Sequence, residues 1–436
     1  MLSGRDIILI SSIEWDFNWQ GHQEIASRLA RAGNRVLYVE NMGVRSPGLH
    51  DVGRVARRFS HWAGSVFDGG VRQVSPDLYV CSPLILPPFG SNIRHQLNRR
   101  LLLPLILRAV RSLRLDPDII WTFLPTDTVA ALVRMLSKPR GVVVYYCIAD
   151  FAELSPHRDE MLKSERSIIE MSDVIFAQGP QLAERCSRGG KKAEIFPFGV
   201  NLNRFTKENG QVNGLSVEKP TTAGKAGSAS ALMSALPRPV IGYVGGIHRF
   251  FDVEMLAAMA RARPDWSWVL VGPLQISPRE LNQIPNVHLA GPKAHEELPD
   301  YIRGFDVGIV PYLFNGYTAT VVPTKINEYL AIGKPVVSTE LPEVRTFNAK
   351  HGVIITSPNR PAEFVASIER ALLSPGEDAV INRRLTVAAL NGWEGRFERM
   401  SHFIERELRK KVYLQDHLTV CNPPSSSLIA DLKSRP

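Results

Sequence analysis

The chain has 436 residues and a formal net charge of +9, from 52 Lys and Arg against 43 Asp and Glu. With 44% hydrophobic and 22% charged residues, it is not disordered throughout, collagen-like or a disulfide-stapled mini-protein, and its length implies two or three domains. Its longest apolar runs, such as Gly141–Ala149, fall far short of the roughly 20 residues a membrane span needs, and its four cysteines form no CxxC pair.

In chain order, Asp6–Ser12 reads as a buried strand, and its short apolar stretch Ile7–Ile10 does not fit a signal peptide. The expected location is therefore cytoplasmic. A helix over Gln23–Ala32 ends at Gly33, and Arg35–Glu40 is the next strand. Further strands follow at Leu78–Cys81, Ile119–Phe123, Gly141–Ile148 and Val174–Ala177. Such β-branched runs separated by helices indicate a parallel sheet covered on both faces. The composition then shifts. Gln211–Pro239 is rich in Gly, Ala, Ser and Pro and reads as a flexible insertion or linker.

A second series begins with the strand Pro239–Gly245, the helix Val253–Arg263 and the strand Trp268–Gly272. Strands at Val287–Leu289, Val307–Pro311, Pro335–Thr339 and Gly352–Thr356 continue it, and helices at Pro361–Leu373, Val380–Ala389 and Phe397–Lys411 close it. The tail from Asp416 is expected to be mobile. The predicted fold class is α/β: two doubly wound, Rossmann-like domains facing across a cleft. We divide the chain into a first domain at 1–205, an insertion at 206–238, a second domain at 239–390, a returning helix at 391–412 and a tail at 413–436.

The strongest local signal is VVPTKINEYLAIGKPVVS, residues 321–338. Pro323 suits a helix start, and free amides near Thr320–Thr324 would attract an anion. Lys325 and Glu328, three apart, share a face there; the cation suits a diphosphate and the carboxylate a ribose, or else they are a surface ion pair. In IGYVGGIHRFFD the tandem Gly245-Gly246 permits close backbone approach to a ligand, beside His248 and Arg249. SSIEWDFNWQGH puts Trp15, Trp19 and His22 at a sheet edge, to stack on a sugar or to pack a loop. Asp150 ends a strand and either faces the cleft or caps a helix.

Asp116-Pro117-Asp118 matches a DxD metal motif but precedes its strand, so it reads as a turn. No HxxxH or HExxH spacing supports a catalytic zinc. The basic, leucine-rich segment Ile93–Arg114, with Arg54, Arg57, Arg58 and Trp62, has the pattern of a helix pair on an anionic bilayer, kinked at Pro104. No nucleic-acid motif accompanies the charge, so nucleic acid is not an expected partner.

Together these stretches, with RVLYVEN, VYYCIADF, FPFGVNLNRF, FDVGIVPY and Gly291-Pro292-Lys293, resemble GT-B fold glycosyltransferases of the retaining family 4, of the teichuronic-acid and exopolysaccharide-building type. The resemblance spans about Asp6 to Lys410. It implies a nucleotide diphosphate sugar as co-substrate, no metal or other cofactor, a lipid-linked or saccharide acceptor, and work at the cytoplasmic, anionic face of the inner membrane. It makes Asp150, Arg249 and Lys325 the catalytic candidates. Gly245, Gly246, His248, Lys293, Thr320 and Glu328 fall on the donor side, and Trp15, Trp19 and His22 on the acceptor side. Glu328 matches the second Glu of the family's E-x7-E motif, whereas Thr320 stands where the first Glu belongs. A nucleotide-sugar epimerase of the same fold and a non-catalytic sugar-binding homologue are the alternatives.

Overall fold

The computed structural model describes residues 1–17, 19–40, 42, 70–83, 85–86, 89–205, 227–373 and 377–421. The first lobe holds β1 (Asp6–Ile10), α1 (Gly21–Arg31), β2 (Arg35–Val39), β3 (Val71–Ser75), β4 (Leu78–Cys81) and β5 (Ile119–Thr122). It continues with β6 (Val142–Cys147), β7 (Val174–Ala177) and β8 (Ala193–Ile195). These strands form one sheet in the order β3-β4-β2-β1-β5-β6-β7-β8, parallel except for the antiparallel β3–β4 pair. Every residue of β1, β5 and β6 is buried, as the continuous apolar runs predict for a sheet covered on both faces. An ion pair fixes the β1–β2 register: Asp6 lies opposite Arg35 and accepts from its Nε and Nη2 at 2.7 and 2.5 Å.

The second lobe repeats the scheme with β9 (Val240–Val244), β10 (Ser267–Val271), β11 (Val287–Gly291), β12 (Val307–Val310), β13 (Val336–Thr339) and β14 (Ile355–Ser357). Its order is β11-β10-β9-β12-β13-β14, all parallel. Within each sheet the first strand lies inside and the chain winds outward both ways, which opens a crevice at the strands' carboxyl ends.

The returning helix is longer than expected, running over Trp393–Cys421. Trp393, Phe397, Met400, Ile404 and Leu408 recur at helical spacing, are buried, and join the core of the first lobe's sheet. A segment beyond the second lobe in sequence thus completes the first lobe's packing. Each such burial stabilises the fold by about 1.5–3 kcal/mol.

Other differences from the sequence reading have local causes. The edge strands β3 and β8 are short and only partly buried, so neither carries an apolar signature. The expected linker contains a helix, Gly227–Ala235, whose Ala229 and Met233 are buried; its Ala, Leu and Met are good helix formers. Residues 206–226 and 422–436 of the expected linker and tail lie outside the described residues, as do Arg54, Arg57, Arg58 and Trp62. The Asp116–Asp118 turn is backbone architecture: the amides of Asp116 and Asp118 donate to Asp6 at 2.7 and 2.9 Å. Segment 92–112 is helical throughout, with a π-helical turn at Asn98–Leu102. Pro104 is the second residue of the following helix, directly after the π-helical turn, and the segment continues through it.

Candidate functional site

The site is the crevice between the two sets of strand ends. On the second lobe, the chain leaves β9 through Gly245, at φ +132°. Its amide donates to Val271 at 2.9 Å. A Cβ on Gly272, itself at φ +150°, would lie 2.0 Å from the Gly245 carbonyl oxygen, so the turn closes only with glycine there. Tyr243 donates its hydroxyl to Gly246 O at 2.9 Å and fixes the turn from below.

Lys325 comes from the first turn of α2, which we define as Thr324–Ala331. The side chain is buried, and Nζ donates to the Tyr312 hydroxyl at 2.6 Å. The ammonium lies 5.2 and 4.9 Å from the ring centroids of Tyr243 and Tyr312. A Cβ on Gly245 would sit 3.4 Å from Nζ, so the ammonium lies directly against the glycine turn. No described carboxylate pairs with it. A buried cation held only by a phenol and two aromatic faces is costly unless an anion joins it.

Pro323 is the N-cap of α2 rather than its first residue. The expected free amides at Thr320 and Val321 are not free: a 3-10 turn over Thr318–Thr320 directs them to Tyr317 and Thr318 at 3.2 Å each. In the first turn of α2 the Ile326 amide donates to Pro323 O at 3.2 Å, which leaves the Thr324 and Lys325 amides at the helix start to meet a ligand. Thr320 is buried and its hydroxyl donates to Tyr317 O at 3.0 Å. Glu328 is half-buried and lies 3.6 Å from His295 Nε2. His248 packs on Tyr312 with ring centroids 5.4 Å apart. Arg249 is exposed over Phe250, which stacks on Tyr317 at 4.4 Å. Lys293 lies 5.5 Å from the Tyr301 ring.

On the first lobe, the expected residues do not all reach the crevice. Asp150 accepts from the Ala152 amide at 3.1 Å, capping a short 3-10 turn at Phe151–Leu154. Its other oxygen pairs with Arg185 Nη1 at 2.5 Å. Arg185 also reaches the buried Glu165 at 3.0 Å and Cys147 at 3.6 Å. The ligand atoms of Cys147, Glu165 and Cys186 lie within 4.8 Å of one another, but Arg185 already meets the charge of that group. Hydrogen bonding to Cys147 and burial push the Cys186 thiol up, so it stays protonated. Trp15 and Trp19 are half-buried and meet edge to face, 5.8 Å apart. His22, expected on the acceptor side, is instead packed in the core: it is 0% exposed and stacks on Phe123 at 3.9 Å. Its Nδ1 meets Ser11 Oγ at 2.8 Å, and burial lowers its pKa to about 3.

The lobes touch at a few built contacts. Gln181 donates its amide N–H to Glu343 Oε1 at 3.3 Å and its side-chain amide to Ala319 O at 3.3 Å. Burial pushes the Glu343 carboxyl up, and the Gln181 amide partly offsets this. Glu153 lies against Gly316, where a Cβ would come within 2.5 Å of its carboxylate. Sequence reasoning missed the residues that make this environment, notably Tyr243, Tyr312, Arg185, Arg204 and His295. Tyr243, Tyr312 and Arg204 lie inside the stretches IGYVGG, FDVGIVPY and FPFGVNLNRF, whereas Arg185 and His295 carried no signal.

Residues 238–374 match the family model described as Glycosyl transferases group 1. The chain is 29% identical over 273 residues to the putative teichuronic acid biosynthesis glycosyltransferase TuaH of Bacillus subtilis, a match covering 61% of this chain and 63% of that relative. The structure is similar to sucrose-phosphate synthase from Thermosynechococcus elongatus, with a TM-score of 0.64 at 18% identity, covering 96% of this chain and 100% of that one. It is also similar to Anabaena HepE in complex with UDP and glucose, with a TM-score of 0.59 at 14% identity, covering 91% and 99%. The second lobe therefore carries a group 1 glycosyl transferase domain, and the whole has the GT-B fold.

Proposed function

We propose that the chain transfers a glycosyl group, with retention, from a nucleoside diphosphate sugar to a lipid-linked or saccharide acceptor in the assembly of a bacterial surface polysaccharide. The buried Lys325 ammonium against the Gly245 turn carries this reading, because a diphosphate is the anion that would offset its charge. Lys325, Arg249 and the first-turn amides of α2 then stabilise the leaving diphosphate. The reading assigns that charge to the protein's own cations rather than to a metal. Glu328 holds the ribose hydroxyls, Gly246, His248 and Lys293 line the donor side, and Thr320 closes the loop where the family's first Glu belongs. Asp150, held by Arg185, walls the acceptor side near the anomeric carbon, with Trp15 and Trp19. The group 1 domain and the UDP and glucose bound by HepE support this choice of donor.

The basic segment supports an acceptor held at an anionic membrane surface. Ile93, Leu97 and Leu101 recur every four residues and are 72%, 38% and 60% exposed, with Arg99 and Arg100 exposed beside them. An apolar stripe flanked by arginines fits an anionic bilayer surface. Among the described residues no helix is long and apolar enough to cross a membrane.

The test is product analysis with UDP-, GDP-, ADP- and dTDP-sugars, with and without a polyprenol-linked saccharide. Acceptor-dependent release of the nucleoside diphosphate is expected. An altered sugar formed without acceptor would identify an epimerase, and binding without turnover a non-catalytic homologue. Replacing Arg94, Arg99 and Arg100 by Gln should weaken binding to phosphatidylglycerol vesicles by roughly two orders of magnitude, at about 1 kcal/mol per arginine. Undiminished binding would remove this surface from the reading.

A further inference from the structure

Glu328 is not alone at the crevice. His295 lies beside it, and Arg204 lies beside His295. Arg204 belongs to a short helix, Leu202–Phe205, on the segment joining the lobes. Its Nη1 donates to His295 Nδ1. A guanidinium has no acceptor, so Nδ1 must carry its lone pair, and the neutral ring holds its proton on Nε2. Nε2 is the nitrogen that faces Glu328 Oε1, at 3.6 Å, with both side chains 16% exposed. This length is slightly more than a hydrogen bond, and a small rotation of either side chain completes one.

The ring is held from other directions. Phe205 meets it edge to face at 5.9 Å. Arg204 is anchored to Glu296 at 3.1 Å, and its guanidinium lies 5.8 Å from the Trp19 ring of the first lobe. A single chain of contacts thus runs from the first lobe's aromatic loop, through the interlobe segment, to the carboxylate assigned to the donor's ribose.

We propose that His295 is a positioning residue for that carboxylate: Arg204 sets its tautomer, and its Nε2–H orients Glu328 toward the ribose hydroxyls of a nucleoside diphosphate. The inference rests on the ribose assignment of Glu328 made under the proposed function. Through Arg204 and Trp19 it also ties donor-ribose binding to the position of the first lobe.

The experiment is calorimetric titration of UDP and of 2′,3′-dideoxy-UDP into the full chain. The wild type should prefer UDP, and Glu328→Ala should abolish the preference. His295→Leu should weaken UDP about tenfold, the scale of one charge-assisted hydrogen bond, and leave the dideoxy nucleotide unchanged. His295→Gln, whose amide accepts from Arg204 and donates to Glu328, should keep most of the preference. Should His295→Leu fail to fold, Arg204→Met provides the second route, with the same selective loss expected. Equal losses for both nucleotides, or an undiminished preference in His295→Leu and Arg204→Met, would overturn the positioning role. A wild type that binds the two alike, or neither, or a Glu328→Ala protein that keeps the preference, would instead overturn the ribose assignment and this inference with it.

Discussion

The two lobes end their sheets on opposite sides of one crevice and treat charge there in opposite ways. In the first lobe Asp150 and Glu165 share Arg185, at 2.5 and 3.0 Å, and the group is closed on itself. In the second lobe Lys325 has a phenol and two ring faces and no described carboxylate. Burying a charge costs free energy whichever way it is arranged. The first lobe recovers that cost internally, so Arg185 is architecture. The second leaves it open, and the diphosphate of the proposed function is the partner that would close it.

This contrast can be broken from either side. The largest expected effect is on the first lobe: Arg185→Leu leaves the buried Glu165 and the half-buried Asp150 without their cation. It should destabilise the chain by about 3–5 kcal/mol in urea unfolding. A loss of under about 1 kcal/mol would mean that Arg185 is not structural. An effect that is small near neutral pH and grows only in acid concerns His22 in the same lobe's core. Its folded pKa of about 3 lies below the ordinary 6.5, so between those values the unfolded chain binds a proton that the folded chain does not. Stability is therefore full above about pH 6.5 and falls as the pH drops toward about 3, by about 1.4 kcal/mol per unit. His22→Gln should flatten that slope in acid titration of the unfolding midpoint; an unchanged slope would place the titrating group elsewhere.

What the sequence disclosed divides along locality. The buried strands were legible because each is a continuous apolar run, and the two-lobed, doubly wound order followed from their alternation with helices. The three-residue spacing of Lys325 and Glu328 was legible, though Lys325 turns to Tyr312 and Glu328 to His295. The environment that gives them meaning was not. Tyr243 meets Tyr312 across 69 residues of sequence, and Arg204 meets His295 across 91. Asp150 shows the same limit: a strand-end carboxylate reads alike whether it faces a ligand or an arginine, and Arg185 lies 35 residues away. His22 follows an aromatic-rich loop in sequence but is drawn inward by Phe123 and Phe198.

The central claim is that Lys325 is the second lobe's open charge and that a diphosphate closes it. It is tested most directly by titrating UDP and inorganic pyrophosphate into the wild type and Lys325→Met, with melting curves confirming that both fold. We expect both ligands to bind the variant at least about tenfold more weakly, the scale of a buried charge-assisted contact. Equal affinity in the two proteins would contradict the account.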